Sequence, residues 1–480
     1  MNIKLSKKQL ESKIHGCWIG KNIGGTIGGP YEGTKDMLDI DGFSTPKGEP
    51  LPNDDLDLQL VWFSALEREG ATAMSPAVLG EYWMTTICPH WQEYGVAKSN
   101  MAKGLVPPLA GEYCNEYWKY SNGAWIRSEL WACLAPGFPN VAIKYAIMDG
   151  CIDHGVGEGT YAEIYTAALQ SMAFVENDIR KVVEMAVEYI PETSRVAQSV
   201  RLVLEEYDKK TNYREVRNML VKQTEDLGWF QAPANVGYVA IGLLYGEGDF
   251  KKSMIYAVNC GDDTDCTAGT VGAVLGIIMG EEGLPKDWCE YIGDKIVTLC
   301  INASYRHPLA KSCKELTERV IRQIPLVLSA HEIFVEYTED EICYDKEAAF
   351  AVLKNYSLEY MDRKPYSFDV KGSCYLSAKV EYEKEPVIKA GETFVIRITF
   401  RNEYNQVFHA EVNTYLPEGW SAEYNKMVFL RHSDMHYSDK TAYEMKITVG
   451  ESVQARNDLV ISVRHPLSPM PMLIPITLLG

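Results

Sequence analysis

Residues 261–280 read GDDTDCTAGTVGAVLGIIMG: three aspartates at the head of an apolar run that carries glycines at 269, 272, 276 and 280. Spacings of three and four are the period of one helix face, so the stretch predicts a buried helix that starts on acid. Each glycine costs such a helix about 1 kcal/mol relative to alanine, which predicts that something approaches that face closely. A second stretch has the same design: Pro52-Asn53-Asp54-Asp55-Leu56-Asp57 runs straight into the apolar segment Leu58 to Leu66. Capping by Asn53 or Asp54 accounts for one acid per helix, worth about 0.5–2 kcal/mol, and leaves the others unexplained. Converging carboxylates repel unless they are protonated or bridged by a cation, and oxygen-only donors suit Mg²⁺, Ca²⁺ or Mn²⁺ better than zinc. An EF-hand is excluded, because counting from Asp263 places Ala268 and Val274 where that loop needs Gly and Glu. The ligands must therefore meet through tertiary structure.

Outward from these two stretches, apolar residues recur three and four apart from about residue 7 to 330, as in Leu58, Trp62, Ala65, Leu66 and Ile164, Ala167, Ala168, Met172. This predicts an α-helical domain over 1–330, interrupted by loops at 20–53, 86–124 and 153–160 that are expected to carry the site. From 373 to 480 the pattern changes to short alternating β-branched runs, AKVEYEK, TFVIRITFRN, AEVNTYL, AYEMKITVG and DLVISVRH. Five such runs predict a C-terminal β-sandwich, and LPEGWSAEYN, with Trp420 after a turn, resembles a strand-turn-strand of immunoglobulin-like modules. Residues 331–372 form a charged, aromatic connector with one helix around Lys346 to Leu353. The fold class expected is mainly α with an appended immunoglobulin-like sandwich.

Length and charge narrow the function. The 480 residues allow two to four domains with a large core. Lys plus Arg (47) against Asp plus Glu (66) leaves a net charge of −19, which argues against nucleic acid as a partner. The most apolar stretch, Thr264 to Gly280, is too short to cross a membrane, and the first residues lack the apolar core of a secretion signal. Twelve cysteines, scattered from Cys17 to Cys374 without a C-x-x-C pair, read as reduced buried thiols. A cytoplasmic location is expected. A nucleophile elbow and the Walker and Rossmann phosphate loops are missing from the sequence.

The motifs resemble those of the ADP-ribosylglycohydrolase superfamily over about residues 10 to 300. Its Gly-rich loop ending in Pro-x-Glu is matched by Gly16-Cys17-Trp18-Ile19-Gly20 through Gly28-Gly29-Pro30-Tyr31-Glu32, its Thr-Asp-Asp-Thr motif by Asn53-Asp54-Asp55-Leu56, and its Gly-Asp-Thr-Asp-Thr motif by Asp262-Asp263-Thr264-Asp265-Cys266. The resemblance implies an orthogonal all-α bundle in which Asn53, Asp54, Asp55, Asp263 and Asp265 hold two Mg²⁺ ions, with Mn²⁺ or Ca²⁺ as the other hard candidates. It implies cleavage of an N- or O-glycosidic bond at the anomeric carbon of ADP-ribose or a related ribosyl group, with Glu32 and Asp55 in catalytic roles. Glu93-Tyr94-Gly95, Asn122-Gly123 with Arg127, and His154 resemble the family's substrate-binding loops, which makes Tyr94, Gly95, Asn122, Gly123 and His154 the expected substrate contacts. The partner implied is a small-molecule or protein-linked ADP-ribosyl or sugar substrate; neither the acceptor nor the oligomeric state follows.

Departures from the family pattern bear on the substrate. Asn53 stands for Thr, Cys266 for the last Thr, Gly25 for an Asp after the glycine loop, and Trp118-Lys119 for a Gly-Ser pair. Cys266 is a poor ligand for Mg²⁺, which leaves one ion or two open. Two other readings stand beside the first: a metal-dependent glycoside hydrolase acting on a non-nucleotide sugar, and a non-catalytic binding protein that retains the fold.

Overall fold

The computed structural model describes residues 1–340, 342, 344–372, 376–432 and 438–480. Cys343 and Cys374, and Ser373 at the expected start of the sandwich, lie outside the described residues. The helices that build the site are, in chain order, α1 (Lys7–Gly28), α2 (Asp54–Glu69), α3 (Glu129–Leu134), α4 (Pro139–His154), α5 (Glu158–Ala173), α6 (Ala232–Tyr245) and α7 (Thr264–Met279).

What approaches the glycine face of α7 is α1. A Cβ placed on Gly16 would lie 2.4 Å from Gly276 O, on Gly20 2.0 Å from Gly272 O, on Gly24 2.3 Å from the Ala268 carbonyl carbon, and on Gly28 2.3 Å from Thr264 O. The falling partner numbers show that the two helices run antiparallel with their backbones in contact. The C-terminus of α1, and Glu32 just beyond it, is thereby set beside the N-terminus of α7. This corrects the expected loop from residue 20: Gly20 to Gly28 are helical. Glycine's poor helix propensity is overridden because each missing side chain admits the other helix's backbone.

The chain divides into two compact units, residues 1–95 with 115–362, and residues 96–114 with 363–480. The first unit is built of helices around a core rich in fully buried aromatics, among them Trp18, Trp62, Trp83, Trp125 and Trp131. One small sheet pairs β1 (Asn2–Ser6) in parallel with β2 (Phe334–Thr338). That strand lies in the stretch read as connector, and five residues are too few for alternation to declare itself; the connector's helix is present as Lys346–Ala351, capped by Asp345. No disulfide forms among the described residues, and Cys88 and Cys114 are exposed, contrary to the expectation of buried thiols. Among the described residues no helix is long and apolar enough to cross a membrane.

The second unit is an antiparallel β-sandwich. Strands β3 (Ser367–Lys371), β4 (Leu376–Tyr382), β5 (Thr393–Asn402), β6 (Phe408–Tyr415), β7 (Ser421–Tyr424), β8 (Met427–Leu430), β9 (Lys440–Thr448), β10 (Arg456–Arg464) and β11 (Met472–Leu479) form sheets of order β3-β4-β5-β9-β7 and β11-β10-β6-β8. All five expected runs are strands. Alternation in β5 sends Phe394, Ile396, Ile398 and Phe400 into the shared core. Leu105 and Leu109 join that core, which is why 96–114 belongs to this unit. The unread β11 contains Pro475, tolerated because β11 is an edge strand.

One stability prediction arises in the helical unit. His331 is half-buried, its Nε2 lies 3.3 Å from the Tyr145 hydroxyl, and burial, then the charge of Lys144, push its pKa down to about 4. The unfolded chain takes up this proton near pH 6.5, the folded protein only near 4, so between them the unfolded state binds more protons and stability falls as pH falls. His331→Gln is expected to flatten that part of the stability curve, measured as the difference in melting temperature between wild type and variant from pH 7 to 4. A constant difference across that range would refute it.

Candidate active site

Both acid-bearing helix starts are fixed by their own residues. At α2, Asn53 is the N-cap, its Oδ1 accepting from Asp55 N at 2.8 Å. Asp57 Oδ2 accepts from Leu299 N and Cys300 N at 2.6 and 2.5 Å, so this acid anchors a distant loop. At α7, Asp262 has φ +66°, its backbone pairs with Gly33 and Thr34, and its carboxylate accepts from Phe230 N and Asn235 Nδ2. Asp57 and Asp262 are thus structural acids, and the Asp262 turn carries the Glu32 loop with it.

The remaining acids converge. Carboxylate oxygens of Glu32, Asp263 and Asp265 lie within 4.8 Å of one another, and so do ligand atoms of Asp55, Asp265 and Cys266, with Asp265 common to both groups. Asp263 Oδ1 and Asp265 Oδ1 are buried with no hydrogen-bond donor. Desolvation, then the charges of Asp55 and Glu32, push Asp265 up to about 7. Asp54 and Asp263 are held well above the usual carboxylate range by desolvation first, then by Asp55 and Asp265 at Asp54 and by Asp265 and Glu32 at Asp263. Glu32 is the exposed member, raised by desolvation of its carboxyl and by Asp54 and Asp55. The group of Glu32, Asp263 and Asp265, open to solvent on the Glu32 side, is all oxygen, the type of donor set that suits a hard cation, whereas the adjoining group of Asp55, Asp265 and Cys266 includes a thiol.

The ADP-ribosylglycohydrolase family model matches residues 6–323. The chain belongs to the ADP-ribosylglycohydrolase family. Membership supports glycosidic hydrolysis of the ADP-ribosylglycohydrolase type and implies an ADP-ribosyl substrate. Among solved structures, one described as an ADP-ribosylglycohydrolase-related protein complex is 18% identical with a TM-score of 0.45, covering 67% of this chain and 99% of its own. A FixG-related protein from Vibrio parahaemolyticus is 6% identical with a TM-score of 0.19, covering 22% of this chain and 96% of its own. No curated protein matches the chain.

Within this ADP-ribosylglycohydrolase site, sequence reasoning missed Lys21. Its Nζ sits 2.9 Å from Asp55 Oδ2, 3.2 Å from Glu129 Oε1 and 2.6 Å from Ile126 O, and the side chain is 1% exposed. Burial alone would lower its pKa; Asp55 and Glu129 outweigh burial and raise it. Glu129 is held in turn by Gln59 Nε2 at 2.8 Å and Gln170 Nε2 at 3.1 Å. The available signal was a single cation inside the apolar, Gly-rich run Trp18-Ile19-Gly20-Lys21-Asn22-Ile23-Gly24.

Two of the departures from the family pattern are one change seen twice. A Cβ on Gly25 would lie 2.3 Å from Asn53 Nδ2, so the longer Asn53 side chain occupies the space that any side chain at 25 would need. Asn53 Oδ1 accepts the capping bond with one of its two lone pairs. Cys266 points its thiol at Asp55 Oδ1, 3.4 Å away, and burial and the surrounding carboxylates keep that thiol protonated.

Of the expected substrate contacts, Tyr94 and Asn122 reach the acid cluster. The Tyr94 hydroxyl donates to Asp54 Oδ2 at 3.3 Å, and Asn122 Nδ2 donates to Asp263 Oδ2 at 2.7 Å while its Oδ1 accepts from Trp125 Nε1. Gly123 and His154 belong to a buried packing and ion-pair network, and the half-buried Gly95 packs on the His90 backbone. His154 is fully buried, with Nδ1 2.9 Å from Asp153 Oδ1 and Nε2 3.0 Å from Ser121 Oγ. Arg127 joins the same network through Asp149 at 2.7 Å, Asp153 at 2.8 Å and the Gly123 carbonyl. A side chain at Gly123 would strike Glu93 Oε1, and one at Gly95 would strike His90 O.

Proposed function

We propose that this protein hydrolyses the glycosidic bond at the anomeric carbon of an ADP-ribosyl or related ribosyl group, assisted by a hard divalent cation, Mg²⁺ first. The observation that carries the proposal is the pair of buried, donorless oxygens on Asp263 and Asp265 beside Glu32. Buried carboxylates without donors are costly, and an all-oxygen set fits Mg²⁺, Mn²⁺ or Ca²⁺. Glu32, Asp54, Asp55, Asp263 and Asp265 are the proposed ligands, with Asn53 serving as cap. Bound there, the ion supplies Lewis-acid polarisation of ribose hydroxyls and of water.

The protein's own groups supply the rest. Asn122 ties up Asp263 Oδ2 and so leaves Oδ1 for ligation, and Tyr94 orients Asp54 in the same way. Asp57 and Asp262 hold the helix starts rigid through backbone donors. The negative field of the cluster favours positive charge developing at the anomeric carbon as the bond breaks. Glu32 is the exposed carboxylate, placed to hold the attacking water or a ribose hydroxyl.

Thermal melting tests this. A ligand at 100 times its Kd stabilises by about 2.7 kcal/mol, so Mg²⁺ should raise the melting temperature and ADP-ribose should raise it further only with Mg²⁺ present. Stabilisation by Mg²⁺ with no response to ADP-ribose would move the substrate to a non-nucleotide sugar. No response to Mg²⁺, Mn²⁺ or Ca²⁺ would end the metal reading and favour a binding protein on this scaffold.

A further inference from the structure

Asp55 is a proposed ligand with a neighbour at each oxygen. Oδ2 lies 2.9 Å from the Lys21 ammonium in an ion pair and Oδ1 faces the Cys266 thiol. The Lys21 ammonium is itself enclosed by the protein, hydrogen-bonded to Glu129 and the Ile126 carbonyl and paired with Asp55. Withdrawing it would leave Glu129, fully buried at the start of α3, short of its only cationic partner among the described residues. The contrast with the neighbouring group lies in the cation. Among the described residues Glu32, Asp263 and Asp265 have no ammonium or guanidinium in ion-pair contact, whereas in the group of Asp55, Asp265 and Cys266 the Asp55 Oδ2, which like Asp263 Oδ1 and Asp265 Oδ1 accepts no hydrogen bond, lies 2.9 Å from the Lys21 ammonium, and the third position is a thiol, a poor donor to a hard ion.

We infer that Lys21 stands in for a second cation, so that the protein binds a single divalent ion at Glu32, Asp263 and Asp265 while the position between Asp55 and Cys266 is closed by the ammonium and the thiol. The inference rests on the metal reading above. It assigns Lys21 as a positioning residue: a fixed positive charge that holds Asp55, and through the Cys266 contact the first turn of α7, in place without an exchangeable ion. Asp54 and Asp55 then act on the bound ion through their charge alone, which narrows the ligand set given above to Glu32, Asp263 and Asp265.

The test uses the full chain stripped with EDTA and titrated with Mn²⁺, reading bound ions per chain by equilibrium dialysis and their mutual coupling by electron paramagnetic resonance. The expected result is one Mn²⁺ per chain with an uncoupled six-line spectrum. Two ions per chain with a spin-coupled spectrum would overturn the inference and leave the metal reading standing; no saturable Mn²⁺ would overturn both. A triple variant, Lys21→Met with Glu129→Gln and Cys266→Thr, removes the internal cation together with its buried anion and supplies a hydroxyl ligand. It is expected to gain the second ion and the coupled spectrum, whereas a folded triple variant still binding one would show that Lys21 is not what closes the position. If the triple variant does not fold, the wild-type count and spectrum decide.

Discussion

Asp265→Asn is expected to abolish divalent-ion binding and glycosidic hydrolysis together, and in metal-free protein to raise the melting temperature. Asp265 is the residue common to both ligand groups, with one oxygen buried and donorless. Its carboxylate lies within 4.8 Å of Glu32 and Asp263 oxygens, and at an effective dielectric of about 20 such a pair repels by about 3 kcal/mol when both members are ionised, or costs the protonation of one of them when they are not. Neutralising it forfeits a favourable helix-dipole term of only about 0.3–1 kcal/mol, so relief of repulsion wins when no cation is present. With Mg²⁺ the order reverses, because only the wild type gains binding energy. Loss of electrophilic assistance worth several kcal/mol lowers the rate by at least about 1,000-fold at about 1.4 kcal/mol per decade. Paired melting curves with EDTA and with Mg²⁺, and a single-turnover hydrolysis assay, check both halves. A variant that melts below wild type in EDTA, or that keeps the Mg²⁺ shift, would sink the idea.

The acid-headed helices were legible because charge at the start of an apolar helical run is a local signal, and the sandwich strands were legible because alternation is local too. Which acids are free to act was not local. Asp57 and Asp262 look like their neighbours in the sequence and are removed from the reactive set only by donors from Leu299, Cys300, Phe230 and Asn235. Lys21 was invisible for the same reason: its partners Asp55 and Glu129 lie 34 and 108 positions away along the chain. The family resemblance brought Tyr94 and Asn122 into view as substrate contacts; in the structure they hydrogen-bond Asp54 and Asp263, partners the sequence did not indicate. Gly25 and Asn53 read as independent departures until packing shows that one makes room for the other.

The glycines of α1 show most clearly how fold and site depend on one contact, and Gly20→Ala is expected to be among the most damaging single-methyl additions in the protein. In an ordinary exposed helix the change would stabilise by up to about 1 kcal/mol. Here the added carbon would sit 2.0 Å from Gly272 O, an atom of a backbone that cannot rotate away. Overpacking against mobile side chains costs about 1–3 kcal/mol, and a backbone-to-backbone clash should exceed that range. Relief requires α1 and α7 to separate, and because the same pair of helices sets Glu32 beside Asp263 and Asp265, any folded Gly20→Ala protein should also bind Mg²⁺ more weakly. Gly272→Ala meets Gly20 O from the other side at 2.2 Å and should cost about as much, while the double variant should cost less than the sum, since one separation relieves both clashes. Gly42→Ala, with nothing within 4 Å of the added carbon, is the control and should stay within about 0.5 kcal/mol. Denaturant melts of the four proteins measure this, and a Gly20→Ala protein as stable as the Gly42→Ala control would mean that the two helices do not pack backbone to backbone.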